Sequence, residues 1–291
     1  MTPENEKKKR HFSLGRILIL GIACAVFLYS GSQLLAYFTE NHSSEQEQQA
    51  LIDQAVVVLP PETDPVETAG STVPEQTEES VPPTEVPVET APIYVDFEKL
   101  QEQNEDIVGW IYCEDTKINY PIVQGESNQD YLYRTHTGER NSNGSIFLDF
   151  RNLDDFSDFN NIVYGHNMGN GAMFGTLKRF WDQTYYEEHP VMWILTPDKA
   201  FRVDLIAGMV TPSDSETYEL FSYIEDLHER VQYALSKSTF DAGEVDLEQI
   251  NQIVTLSTCS YEYATARYVV IGNLVEVAYP EAPVPTETTE P

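Results

Sequence analysis

Residues 17–38 form a run of 22 positions without one charged side chain, and after Arg16 no Lys or Arg occurs again until Lys99. A helix of that length crosses a hydrocarbon core of about 30 Å. Lys7, Lys8, Lys9, Arg10 and Arg16 precede the run, so the positive-inside bias puts residues 1–16 in the cytoplasm and everything beyond residue 38 outside. The alternative is a cleaved signal peptide. The run is longer than a usual signal-peptide core and no small-x-small cleavage site follows it, so the reading is an uncleaved membrane anchor over 17–38. Cys24, within the run, is a poor lipobox match and reads as an ordinary apolar helix residue.

Beyond the anchor, proline and charge divide the chain. Twelve of the 17 prolines fall in 60–92 and 280–291, and 40–92 holds 12 acidic residues and no basic one. Such a Pro/Thr/Glu-rich segment has too little apolar content for a core and repels itself. The expectation is a disordered acidic stalk over 39–92, with 55–59 as part of a juxtamembrane helix, and a disordered acidic tail over 280–291. The remaining 93–279 contain the aliphatic and aromatic residues of one domain. The formal charge of −31 excludes sequence-independent nucleic-acid binding.

Within 93–279, short apolar runs bounded by turn residues predict strands at 118–123, 145–149, 161–164, 191–196, 201–210, 253–258 and 268–277. Helical spacing predicts helices over 100–110, 173–181 and 218–237. Seven or more strands with few long helices point to an all-β sandwich or a closed barrel with added helices.

Two cysteines lie outside the anchor. Cys113, in the run Trp110-Ile111-Tyr112-Cys113, reads as a small core residue, and two cysteines are far from the density of a disulfide scaffold. A Cys113–Cys259 disulfide remains an alternative. Cys259 ends the run Ile253-Val254-Thr255-Leu256-Ser257-Thr258-Cys259, so alternation puts Val254 and Leu256 on one face and the thiol on the other, at the mouth of the strand. A nucleophilic thiol needs a base and a donor for the oxyanion. Among six histidines, His11 and His42 lie outside the core, and His136, His189 and His228 sit where solvated or capping roles are usual. His166 closes Tyr164-Gly165-His166, where a buried-strand pattern opens into a polar loop. Arg267 begins the next strand eight positions after Cys259. If the two strands are antiparallel neighbours, its guanidinium stands beside the thiol, where it lowers the thiol pKa and donates to a developing oxyanion. The other reading is a surface arginine paired with a carboxylate such as Glu262.

Taken together, Thr255-Leu256-Ser257-Thr258-Cys259, Arg267 and Tyr164-Gly165-His166 resemble a sortase, and class B sortases more than the other classes. Supporting matches are Ile107-Val108-Gly109-Trp110-Ile111, residues 118–124, Gly144-Ser145-Ile146-Phe147-Leu148-Asp149 and Met173-Phe174; the resemblance covers about 94–278. It implies a mainly β fold: a closed eight-stranded barrel with N-terminal helices and a long helix between the sixth and seventh strands. It also implies a membrane-anchored cysteine transpeptidase outside a Gram-positive cell. Such an enzyme cuts a C-terminal sorting signal of the Leu-Pro-x-Thr-Gly or Asn-Pro-x-Thr-Asn kind after Thr, and joins the surface protein to a cell-wall amine. By the same resemblance Cys259 is the nucleophile, His166 the acid and base, Arg267 the group that positions the carbonyl or stabilises the oxyanion, and Thr258 an added donor there.

A simple hydrolase with no acceptor stands beside this reading, and so do two further alternatives. One is a pilin-polymerising sortase with a lysine acceptor, although no Asp-Pro-aromatic lid precedes the core. The other is a wall-associated binding module, which would carry its own sorting signal, apolar span and basic tail where this sequence has 280–291. Asp154, Asp155 and Asp158 make an acidic loop without a complete metal-ligand spacing. No metal or organic cofactor is expected.

Overall fold

The structure is a computed structural model that describes residues 14–59, 89–260 and 262–283. The chain divides into two compact units at Glu47/Gln48. The first holds most of helix α1 (Leu14–Ala55), whose Leu18, Phe27 and Leu35 side chains are exposed. By length and composition α1 qualifies as a membrane-crossing helix.

The second unit is built on a closed barrel of eight strands. These are β3 (Ile107–Tyr112), β4 (Asn119–Val123), β5 (Ile146–Leu148), β6 (Asn160–Tyr164), β7 (Val191–Leu195), β8 (Ala200–Pro212), β9 (Ile253–Cys259) and β10 (Ala266–Val277). Their order around the barrel is β10-β8-β7-β3-β4-β5-β6-β9. The β4–β5 and β6–β9 pairs are parallel and the others antiparallel. The long helix α3 (Ile224–Lys237) falls between the sixth and seventh barrel strands, as expected. Alternation explains the layering: Val254, Leu256 and Val270 belong to the cluster that fills the barrel, whereas Ile253, Val269 and Ile271 pack with Leu227, Val231 and Ala234 of α3. β9 is therefore covered on both faces until it reaches Cys259, which is only partly buried.

All seven expected strands are present. The eighth, β3, lies where a helix was expected over 100–110. Helix α2 (Phe97–Gln103) ends at Asn104, whose backbone N–H bonds the Leu100 carbonyl, and the chain then turns into β3. Gly109 lies so close to the neighbouring strand that a Cβ there would sit 3.0 Å from the Leu195 carbonyl oxygen, an approach suited to a strand glycine. Over 173–181 only a 3-10 turn, Leu177–Trp181, forms. It follows Met173, whose backbone takes a left-handed φ of 52° and breaks any helix there. The helix expected over 218–237 begins only at Ile224, after a separate 3-10 turn at Glu216–Tyr218.

The expected stalk is corrected at both ends. Residues 39–55 continue α1, and Val56–Val58 form strand β1, paired antiparallel with β2 (Ile93–Val95). Leu51, Ala55 and Ala91 are buried with Ile93, Val95, Leu100 and Trp110, and the Gln48 amide donates to the Asn119 carbonyl. The second compact unit therefore begins at about residue 48 instead of 93. Apolar residues one helical turn apart, Leu51 and Ala55, outweigh the acidic composition around them. The expected basic terminus, the segment 60–88 and the tail from 284 lie outside the described residues.

Candidate active site

The β9–β10 register makes Arg267 the direct partner of Cys259. Opposed residues of an antiparallel pair point to the same face, so thiol and guanidinium emerge side by side at one end of the barrel. Glu262, the alternative partner for Arg267, instead pairs with Lys178. Arg267 Nη1 donates to the Ala266 carbonyl at 3.1 Å.

His166 arrives from β6, which runs parallel to β9 with Tyr164 opposite Ser257. Three bonds then fasten its loop to the nucleophile strand. Gly165 N–H donates to the Ser257 carbonyl at 3.1 Å, Thr258 Oγ1 donates to the Gly165 carbonyl at 2.8 Å, and Asn167 Nδ2 donates to the Cys259 carbonyl at 2.8 Å. His166 Nε2 lies 2.7 Å from the Leu132 carbonyl oxygen. A carbonyl only accepts, so Nε2 carries the hydrogen and Nδ1 of the neutral ring is the basic nitrogen. The Tyr133 ring stands 5.6 Å from the imidazole. Gly144, at φ +59°, leaves room for both: a Cβ there would lie 2.5 Å from the Leu132 oxygen and 3.0 Å from His166 Cδ2.

Cys259, His166, Arg267 and Thr258 line one cleft of about 250 Å³, with Asn128, Leu132, Tyr164, Tyr218 and Ser257 among its walls. The Thr258 hydroxyl gives its one proton to the Gly165 carbonyl, so its side chain braces the histidine loop.

The remaining candidates separate cleanly. All three cysteines are free thiols, which removes the Cys113–Cys259 disulfide. Cys113 is buried, and burial pushes its thiol up to about 12, so it stays protonated and inert. His136 is buried away from the cleft and burial depresses its pKa. His228 Nε2 lies 3.0 Å from the Ile250 carbonyl oxygen. In the acidic loop, Asp155 pairs with Lys199 at 2.9 Å and Asp158 accepts from Asn152 and Leu153. Among the described residues no group of three or more His, Cys, Asp or Glu side chains is arranged to hold a metal.

Sequence reasoning missed the residues that hold the cleft in shape. Asn167 and the Leu132 carbonyl carry no motif of their own. Asp149 was visible only as the end of a strand, yet its side chain is fully buried. It accepts from Arg151 twice at 2.8 Å, from Asn128 Nδ2 at 3.0 Å and from the Tyr164 hydroxyl at 2.9 Å. Burial opposes its charge, but the bonds from Arg151, Asn128 and Tyr164 prevail and hold its pKa below the ordinary carboxylate value.

Comparison with known proteins agrees with this geometry. The family model for the sortase domain matches residues 111–275. Sortase B of Listeria monocytogenes is 31% identical over 265 residues, covering 90% of this chain and 97% of the relative. Sortase B of Staphylococcus aureus is 33% identical over 185 residues, covering 62% and 75%. Among solved structures, a Bacillus anthracis protein similar to sortase B superposes with a TM-score of 0.61 at 31% identity, covering 82% of this chain and 97% of that one. A Staphylococcus aureus sortase B–substrate complex gives 0.58 at 32% identity, covering 62% and 85%. The barrel, the inter-strand helix and the matched sequence agree: the chain belongs to the sortase family, as a class B cysteine transpeptidase.

Proposed function

We propose that this enzyme, anchored by residues 17–38 with its catalytic unit outside the cell, cleaves the C-terminal sorting signal of surface proteins after Thr and joins the acyl group to a cell-wall amine. The observation that carries the reading is the register of Cys259 against Arg267, with the His166 loop bonded to the same strand on both sides of the imidazole. The Cys259 thiolate attacks the Thr carbonyl carbon, and the oxyanion that forms accepts hydrogen bonds from Arg267. Collapse breaks the C–N bond, and imidazolium His166 gives its proton to the leaving amine. The thioacyl enzyme is then attacked by the acceptor amine, which loses a proton to His166 and expels the thiolate.

One of the similar solved structures is a sortase B complexed with triglycine, which supports an amine acceptor of the glycine type here. The test uses a soluble chain from residue 48 with quenched Leu-Pro-x-Thr-Gly and Asn-Pro-x-Thr-Asn peptides, with and without triglycine, followed by mass spectrometry. The expected result is cleavage after Thr, a triglycine-joined product, and neither in Cys259→Ala. Hydrolysis without joined product would remove the transpeptidase reading, and cleavage surviving in Cys259→Ala would remove the nucleophile.

A further inference from the structure

We propose that Asp149 is a positioning residue of this transpeptidase: a buried carboxylate behind the cleft that fixes how the cleft-lining side chains face the sorting signal. The inference rests on the function proposed above and adds to it a residue that the three catalytic groups do not include.

The geometry joins five separate segments of the chain. Asp149 follows β5 and has no exposed side-chain surface. Its Oδ2 accepts from Asn128 Nδ2 in the loop after β4 and from the Tyr164 hydroxyl at the end of β6. Its two oxygens together take the guanidinium of Arg151 through Nε and Nη2. Arg151 Nη2 also donates to the Tyr218 carbonyl at 3.0 Å, and the Tyr218 hydroxyl lies 2.9 Å from Ser257 Oγ, two residues before the nucleophile. Asn128, Tyr164, Tyr218 and Ser257 all line the catalytic cleft.

The consequence for Asn128 is specific. Its Oδ1 accepts from the Phe150 N–H at 3.0 Å while its Nδ2 donates to Asp149, so the amide is held in one of its two flipped orientations where it lines the cleft. Tyr164 is held in the same way, by its hydroxyl on Asp149 and by its ring against Phe147 at 5.2 Å and Tyr218 at 6.1 Å. A neutral side chain of the same shape would lose the bidentate Arg151 contact and with it the line to Tyr218. None of these bonds reaches Cys259, His166 or Arg267 directly. Asp149 therefore acts on substrate placement while leaving the nucleophile as it is.

The test uses the full chain in detergent micelles as wild type, Asp149→Asn, Asn128→Ala and the double variant. The measurements are KM and kcat on a cleaved sorting-signal peptide, the alkylation rate of Cys259 by mass spectrometry, and the unfolding midpoint. Asp149→Asn is expected to raise KM about tenfold with kcat within about threefold, the pattern of lost binding, and Cys259 should alkylate at the wild-type rate. Because Asn128 acts downstream of Asp149, the double variant should be no worse than Asp149→Asn by more than about twofold, where independent effects would multiply.

An unchanged KM, a matching fall in kcat and Cys259 reactivity, or multiplying effects would each overturn the proposal. Should Asp149→Asn fail to fold, Tyr164→Phe keeps the ring and the Asp149–Arg151 pair and removes one bond. A KM rise of severalfold supports the proposal there, and an unchanged KM overturns it. A wild type that cleaves no peptide at all sinks the functional reading and this proposal together, whereas a wild type that cleaves while the variants match it sinks this proposal alone.

Discussion

Two antiparallel strand pairs in this molecule are assembled in opposite ways. The β9–β10 pair joins seven registered positions across the short loop 260–265, and it carries Cys259 and Arg267 at its open end. The β1–β2 pair joins three positions across residues 59–92. Loop closure over the longer connection costs about 1.5 kcal/mol more than over the shorter one, and three ladder positions add little to offset it. What holds β1 in place is burial: Leu51 and Ala55 are 3% and 2% exposed, and a fully buried Leu is worth roughly 1.5–3 kcal/mol and an Ala methyl about 0.8 kcal/mol. The hairpin is a local structure whose geometry follows from adjacent sequence. The N-terminal pair exists only because a distant core accepts it.

The largest effect that tests this contrast lies on the hairpin. Arg267→Ala should lower kcat/KM by about 10²–10³, the loss typical of removing a donor to an oxyanion, with the unfolding midpoint little changed because the β9–β10 ladder is backbone. Arg267→Lys keeps the charge without the planar fork and should recover only part of the rate. A full recovery by Lys would reduce the role of Arg267 to its charge.

On the N-terminal pair the expected effect moves to stability. Leu51→Ala should destabilise the chain by about 2–4 kcal/mol, the usual range for a buried Leu, read by chemical denaturation, with kcat/KM retained in the folded fraction. A chain begun at residue 93 should lose at least as much, because it lacks the cover over Ile93, Val95 and Leu100. Equal stability of chains begun at 48 and at 93 would mean that β1 only leans on the domain.

The same contrast explains what the sequence disclosed. Val254 and Leu256 alternate with Ser257 and Cys259 over one strand, and Arg267 opens the next, so the strands, their pairing and the two side chains at the mouth follow from a short stretch of chain. Seven such runs pointed to an all-β sandwich or a closed barrel, and the resemblance to sortases implied the barrel. β3 was hidden because Leu100, Ile107 and Trp110 also satisfy helical spacing, and only Asn104 and the close approach at Gly109 decide against it. The packing of Leu51 and the bonds on Asp149 depend on partners tens of residues away, on elements whose order around the barrel no local pattern gives. The bond Thr258 makes was hidden for the same reason, since its partner, the Gly165 carbonyl, lies just beyond β6.

Thr258 ties the hairpin to the end of β6, and its removal should have an intermediate effect. Thr258→Val keeps the shape and loses the bond to Gly165, a loss of about 1 kcal/mol in stability. With the His166 loop looser, kcat should fall severalfold. If Thr258 were instead an oxyanion donor, kcat would fall about 10²-fold or more with stability unchanged, and the two readouts together separate the roles.

The smallest effect belongs to the loop that leans on the N-terminal side of the barrel. His136 is buried there, and its backbone carbonyl accepts from Asn104 Nδ2 at 2.5 Å. Burial holds its pKa below 6.5, the value it regains on unfolding. Between those two pKa values the unfolded chain binds more protons than the folded one, so stability rises with pH across that window. Stability present above pH 6.5 is therefore lost as the pH falls below it, toward the folded pKa. Comparing unfolding midpoints of wild type and His136→Gln at about pH 7.5 and about pH 5.5 isolates this contribution. The variant should lose less on acidification than wild type, and an identical loss in both would assign the acid sensitivity to groups other than His136.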